Sequence, residues 1–293
     1  MGDMVLETRG LCKSYRDTQA LSDFTVSLEG NRIYGLLGRN GAGKTTLLNL
    51  ITSRIFASAG EIRAFGQPAV ENGKVLSRIC YMPEKNLFIS KMRVEEIIAV
   101  SAQFYENFDR DFARSLCEKF RLSPRKRYND LSRGYESILR IVIGLASRAP
   151  LTIFDEPVLG LDAAVRELFY RELIADFTEN PRTVIVSTHL IEESADVFSE
   201  VIILRDGLLE TFISTEELRE SAFYLSGRAE AVRAATQGLR VLHTESVGSV
   251  CVSAVYGKPE PGAVKRWSGE GIDISPVPIQ KLFIYLTETE GGK

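Results

Sequence analysis

Apolar runs that read as buried strands recur along the chain and alternate with stretches of helical spacing. Arg32-Ile33-Tyr34-Gly35-Leu36-Leu37, Leu151-Thr152-Ile153-Phe154 and Thr183-Val184-Ile185-Val186-Ser187-Thr188 are short and little interrupted by charge. Val5 to Tyr15 and Phe24 to Leu28 read as paired strands. Apolar residues alternate in Phe24-Thr25-Val26-Ser27-Leu28, and Glu29-Gly30-Asn31 is a turn. Two further short strands are expected at Gly60 to Gly66 and Ser77 to Tyr81. Helical spacing starts after Thr46 and takes over from Val94 to Phe120. There Val94, Ile97, Ile98, Ser101 and Ala102 share one face, and Phe112, Leu116 and Phe120 another. It returns in Ile138 to Ser147 and Ala163 to Phe177. Arg205-Asp206-Gly207 is a hairpin signal between Glu200 to Leu204 and Leu208 to Thr211. The pattern predicts an α/β domain with a helical insertion.

The remainder keeps alternating but on a smaller scale. Ser214 to Glu220 reads as a short helix, Phe223 to Ser226 as a strand and Ala229 to Gln237 as a helix. Val250 to Val255 is a strand hairpinned through Val247-Gly248-Ser249 to Leu239 to His243. A helix at Ala263 to Ser268, a strand at Gly271 to Ser275 and a helix at Pro278 to Thr287 complete a small α/β unit. This tail carries no chemical motif. A regulatory or dimer-contact role and inert packing both fit it.

Composition narrows the class. The chain has 293 residues, 44% hydrophobic and 26% charged, enough for about two globular domains. Its net charge of −3 offers no broad basic surface for nucleic acid. Met1 to Gly10 holds no apolar run, and no stretch reaches the length of a membrane span. Cys12, Cys80, Cys117 and Cys251 are far apart and unpaired in pattern, which predicts reduced thiols of a cytosolic protein. Zinc is disfavoured, because His189 and His243 are the only imidazoles.

The strongest chemical signal lies between the first buried strand and the first helix. Gly38-Arg39-Asn40-Gly41-Ala42-Gly43-Lys44-Thr45-Thr46 fits the P-loop spacing. Glycines let successive backbone N–H groups face one concavity, and the helix start adds its positive dipole end. Lys44 is placed to reach β- and γ-phosphates, and the Thr45 hydroxyl to take one Mg²⁺ position. The alternative is a chance glycine-rich turn, which the strand-before, helix-after context opposes. Asp155 and Glu156 end another buried strand. Adjacent carboxylates there suit a cation and polar chemistry: Asp155 as a Mg²⁺ holder opposite Thr45, Glu156 as the group that polarises a water. The alternative is a pair of surface carboxylates. His189 ends a third strand, placed either to donate to a γ-phosphate or simply as a satisfied polar residue. Ser132 and Gly134 stand at the expected start of the Ile138 helix, as a cap or as a second anion site on the surface. Tyr15 fits strand packing and adenine stacking equally. Gly160-Leu161-Asp162 is a turn before a helix.

Taken in order, these motifs resemble the ATP-binding subunit of ABC transporters, over about Val5 to Glu217. Tyr15 is similar to the adenine-stacking aromatic, residues 38–45 to Walker A, Ile153 to Glu156 to Walker B with its glutamate, Gly160 to Asp162 to the D-loop, and His189 to the switch histidine. Leu131 to Glu136 match the Leu-Ser-Gly-Gly-Gln signature in part, with Arg133 for the first glycine and Tyr135 before Glu136 where glutamine is usual. Glu84, after Tyr81-Met82-Pro83 and followed by Lys85-Asn86, stands where glutamine is usual. Together with the terminal segment Pro278 to Leu286, it resembles the bacterial drug-export (ABC-2-like) subclass.

The resemblance implies an ABC-type P-loop NTPase fold over residues 1–217, with a β subdomain and a helical subdomain at about residues 86–147, and an accessory α/β domain over 218–293. It implies ATP and Mg²⁺ as cofactors, with Thr45, Asp155 and Glu84 at the metal and Glu156 and His189 catalytic. Ser132, Arg133, Gly134 and Tyr135 would act in trans, across a homodimer or a heterodimer with a similar ATPase. It further implies a separate transmembrane permease subunit, no nucleic acid, and a cytoplasmic place at the inner face of the membrane. The expected function is to power an exporter. The alternatives are a soluble non-transport ABC ATPase and the weakly hydrolysing half of a heterodimeric pair. Intact Glu156 and His189 oppose the last; Arg133 favours it.

Overall fold

The computed structural model describes residues 3–84, 88–89 and 91–287, so Lys85, Asn86 and the first residues expected in the helical subdomain lie outside the described residues. The chain divides into two compact units: residues 1–189 with 196–212, and residues 190–195 with 213–293.

In the first unit, β1 (Met4–Tyr15) and β2 (Thr18–Glu29) form a long antiparallel pair, followed by β3 (Ile33–Leu37) and α1 (Lys44–Ile51). Next come β4 (Ala59–Ala64), β5 (Gln67–Pro68), the single-turn α2 (Gly73–Leu76) and β6 (Ile79–Met82). The helical stretch follows as α3 (Val94–Ser101), α4 (Arg110–Lys119) and α5 (Arg133–Ser147). Then β7 (Leu151–Asp155), α6 (Ala163–Glu179), β8 (Thr183–Thr188), β9 (Glu200–Arg205) and β10 (Leu208–Ser214) close the domain. Two sheets result. One runs β2-β1-β4-β5; the other runs β10-β9-β3-β8-β7-β6. In the second sheet β6, β7, β8, β3 and β9 are parallel, and every residue of β3, β7 and β8 is buried, which is why they lack alternation. The carboxyl ends of β3, β7 and β8 therefore finish side by side. The hairpin between β9 and β10 turns through Asp206 and Gly207 at φ 50° and 79°, the left-handed pair of a type I′ turn.

The helical stretch expected from Val94 to Phe120 is two helices with a break between them. Asp109 ends the break by accepting the Phe112 N–H at 2.8 Å as the N-cap of α4. The two apolar faces read from the sequence belong to the two separate helices. Gly144 of α5 packs where an added Cβ would lie 2.3 Å from the Phe154 ring of β7, so the helix lies close on the strand below.

The second unit holds α7 (Thr215–Glu220), β11 (Ala222–Arg228), α8 (Ala229–Ala235), β12 (Arg240–Val247), β13 (Val250–Tyr256), α9 (Ala263–Gly269), β14 (Asp273–Pro276) and α10 (Ile279–Thr287). Its antiparallel sheet runs β12-β13-β11-β14. Phe223, Leu225, Val232, Cys251, Val255, Trp267 and Ile272 form its core, with the Phe223 and Trp267 rings stacked at 5.8 Å.

Candidate functional site

The loop from Gly38 to Gly43 leaves β3 at its carboxyl end and enters α1. Gly43 sits at φ 106° as the N-cap residue, and a Cβ on it would meet the Ala20 carbonyl at 2.6 Å. No residue with a side chain adopts that backbone there without displacing the β2 chain. The loop borders a cavity of about 460 Å³ lined by Arg39 to Thr46 together with Ala20, Glu84, Glu156, Leu159 and His189. The α1 N-terminus faces the anion side of this cavity, with its first amide donors unused by the helix.

Lys44 is buried, and its ammonium donates to the Gly38 carbonyl at 2.6 Å. It also lies 3.2 Å from Glu156 Oε1, close enough for strong Coulombic attraction in a water-poor site. On its other side Glu156 Oε2 is 3.0 Å from His189 Nδ1. Glu156 thus stands between two groups that the sequence separates by more than a hundred residues. Its backbone is held at φ 49° and its N–H reaches the Ser187 carbonyl at 3.1 Å, so the turn after β7 is fixed by β8. A non-glycine residue in that conformation is strained, which is common where a side chain must be aimed.

Asp155 is differently placed. Thr45 Oγ1 donates to Oδ2 at 2.9 Å, Tyr81 OH to Oδ2 at 3.3 Å, and Ser187 Oγ to Oδ1 at 2.5 Å. Burial, and then the Asp155 carboxylate itself, push the Tyr81 phenol above its ordinary range, so it remains a donor. Three donors fix the orientation of the carboxylate. Thr45 and Asp155 make a hard, oxygen-only pair beside the phosphate loop. Mg²⁺ uses one or two such protein groups and completes its shell with phosphate oxygens and water. Among the described residues no group of three or more His, Cys, Asp and Glu side chains could hold a metal alone.

The remaining sequence-derived residues divide into two sets. Glu84 is exposed and lines the cavity. Tyr15, Ser132, Arg133, Gly134, Tyr135 and Asp162 are not among the lining residues. Tyr15 is 47% exposed at the tip of β1, with Lys13 Nζ 5.0 Å from its ring centroid. Ser132 is the N-cap of α5, accepting the Tyr135 N–H at 3.4 Å, and Arg133 is exposed beside it. A Cβ on Gly134 would lie 3.3 Å from the Gly160 carbonyl, so the head of α5 rests on the turn that leads to Asp162. Asp162 caps α6 by accepting the Val165 N–H at 2.9 Å.

Sequence reasoning missed Tyr81, Ser187 and Arg140. Arg140, on the buried face of α5, donates to the Pro83 carbonyl at 3.1 Å, to the Glu84 carbonyl and to Ser137 Oγ. Burial lowers its pKa from the ordinary value, yet a guanidinium stays charged in a protein. It ties the Glu84 backbone to the helix that Ser132 caps. A charged residue inside an otherwise apolar helical run was the available signal.

Comparison with known proteins agrees with this geometry. The sequence profile of the ABC transporter family matches residues 21–159. The chain is 32% identical over 216 residues to the ABC transporter ATP-binding protein YtrB of Bacillus subtilis (strain 168), covering 74% of each chain. It is 29% identical over 223 residues to the bacitracin transport ATP-binding protein BcrA of Enterococcus faecalis, covering 74% of this chain and 72% of the relative. Its fold is similar to the dimeric structure of MJ0796, a bacterial ABC transporter cassette, with a TM-score of 0.64 and 20% identity over 72% of this chain and 98% of the other.

Proposed function

Because this chain belongs to the ATP-binding subunits of ABC transporters and is an ATPase, we propose that it powers an exporter by closing on ATP with a second such subunit and passing that closure to a separate membrane permease. The observation that carries this reading is a division within one chain. Lys44, Thr45, Glu156 and His189 line one cavity, whereas the Ser132 helix head does not. A second P-loop unit, either another copy or a similar chain, supplies Ser132, Arg133, Gly134 and Tyr135 from across the interface. The dimeric cassette similar to this fold and the relative named for bacitracin transport support the arrangement. Among the described residues no helix is long and apolar enough to cross a membrane; in this reading the spanning part belongs to another chain, and this subunit works at the inner membrane face.

In this reading Tyr15 stacks on adenine and the amides of residues 38–46 cradle the phosphates. Lys44 exchanges its contact with Glu156 for the β- and γ-phosphate oxygens. That exchange frees Glu156 to accept a proton from the attacking water, with His189 holding its other oxygen. Thr45, Asp155 and Glu84 would hold Mg²⁺, which would supply charge neutralisation at the phosphates. Asp162 and its turn carry the state of one site to the α5 head of the same chain. The exposed Arg133 favours a second reading, in which the site built with this chain's signature turns over slowly within a mixed pair; faster hydrolysis in Arg133→Gly would support it.

The test uses Glu156→Gln, which is expected to hold ATP without cleaving it. Light scattering should show its mass doubling with Mg²⁺ and ATP and returning to monomer with ADP. A mass indifferent to ATP refutes closure between copies and directs the search to a similar chain co-purifying from membranes.

A further inference from the structure

The segment that follows His189 is carried by the second unit. β8 delivers His189, and the next six residues, Leu190–Ala195, cluster with residues 213–293. They form a compact turn in which Ser194 Oγ donates to the Leu190 carbonyl at 2.8 Å and the Ala195 N–H to the Ile191 carbonyl at 2.9 Å. Ile191 is fully buried, and a buried backbone donor requires an acceptor. The acceptor is a side chain from the far end of the sequence: the Ile191 N–H donates to Gln280 Oε1 at 3.2 Å. Gln280 lies in the first turn of α10. That helix is fixed in the second unit by buried Leu282, Phe283 and Leu286, by the Tyr285 ring stacked on His243 at 4.6 Å, and by the Tyr285 and Tyr224 hydroxyls 3.2 Å apart.

We propose that Gln280 is a positioning residue for His189. Ile191 lies two positions after the histidine, a span of at most about 7 Å of chain. Loss of the anchor is therefore felt directly at the His189 ring. The contact from Nδ1 to Glu156 Oε2 is 3.0 Å, and a hydrogen bond weakens steeply a few tenths of an ångström beyond that. Through the short stretch of chain between them, the Gln280 anchor on Ile191 limits the positions open to His189 and so sets the fraction of molecules in which the pair with Glu156 is made. This rests on the reading of Glu156 as base and His189 as its partner.

The test is a double-mutant cycle between Gln280 and His189 in the full chain, read as ATP turnover. Gln280→Met removes the acceptor at similar volume and should lower kcat about tenfold with KM for ATP unchanged, while the unpaired Ile191 N–H lowers the melting temperature modestly. Gln280→Glu keeps an acceptor oxygen and should restore kcat to within about twofold. In the His189→Ala background Gln280→Met should have no further effect. Wild-type kcat in Gln280→Met, or an equal loss in both backgrounds, overturns the proposal. So does a kcat loss accompanied by weaker ATP binding, which marks Gln280 as structural only. If His189→Ala alone turns over like wild type, the underlying reading fails instead.

Discussion

The two units bury different kinds of residue. The first buries Lys44, Arg140, Asp155, Glu156, Glu172, Asp176 and Arg182. Each sits near a counter-charge or a set of polar partners: Lys119 with Glu172 at 2.6 Å, Arg182 with Asp176 at 2.7 Å, Lys44 beside Glu156. Burying a charge alone costs several kcal/mol, so such an interior is stable only while its pairs are intact. The second unit has an apolar core around Phe223, Leu225, Val255 and Trp267, and its buried polar residues, among those described, are the neutral Ser194, Thr215, Ser253 and Thr287. The contrast teaches that the chemistry is concentrated where paired charge is held under strain. The described core of the second unit is apolar and neutral, and in the proposal above it bears on the chemistry through the segment Leu190–Ala195.

The comparison can be broken at several levels. Glu156→Gln should lower turnover by about 100- to 10,000-fold while ATP still binds, because it removes the proton acceptor and keeps the shape. Lys44→Ala should weaken ATP by about 30- to 1,000-fold in isothermal titration, since it removes a buried charge from the phosphate loop. Packing changes should be milder and should fall on the unit that carries them. Gly144→Ala drives a Cβ to 2.3 Å from the Phe154 ring and should cost the first unit about 1–3 kcal/mol, seen as a lowered melting temperature with ATP binding weakened in parallel. Gly227→Ala places a Cβ 2.9 Å from the Gly271 carbonyl and should cost the second unit about 1 kcal/mol, with the affinity for ATP unchanged. An equal effect of both glycine variants on ATP affinity would erase the distinction between the units.

The same contrast explains what was readable from residues alone. The phosphate loop was legible because its chemistry fixes residue types at fixed spacing within nine neighbouring positions. Asp155, Glu156 and His189 were legible because each closes or follows a short, mostly apolar run without charge, which places it at the carboxyl edge of a buried strand. The partners of Asp155 were not. Tyr81 and Ser187 reach it from 74 and 32 positions away, and only the strand order brings them there. Gln280 was hidden for the same reason, acting across 89 positions on a backbone amide, which no side-chain pattern marks. The break between α3 and α4 is a local miss: Asp109 is a capping residue three positions before Phe112, and the apolar count ran across it.

The most direct test of a site shared between subunits is a structure of the Glu156→Gln protein with Mg²⁺ and ATP in its closed state. The account predicts that the γ-phosphate is held by Lys44 of one subunit and lies within hydrogen-bond distance of Ser132 Oγ of the other. A closed, ATP-loaded assembly whose γ-phosphate is contacted by one chain alone would contradict it.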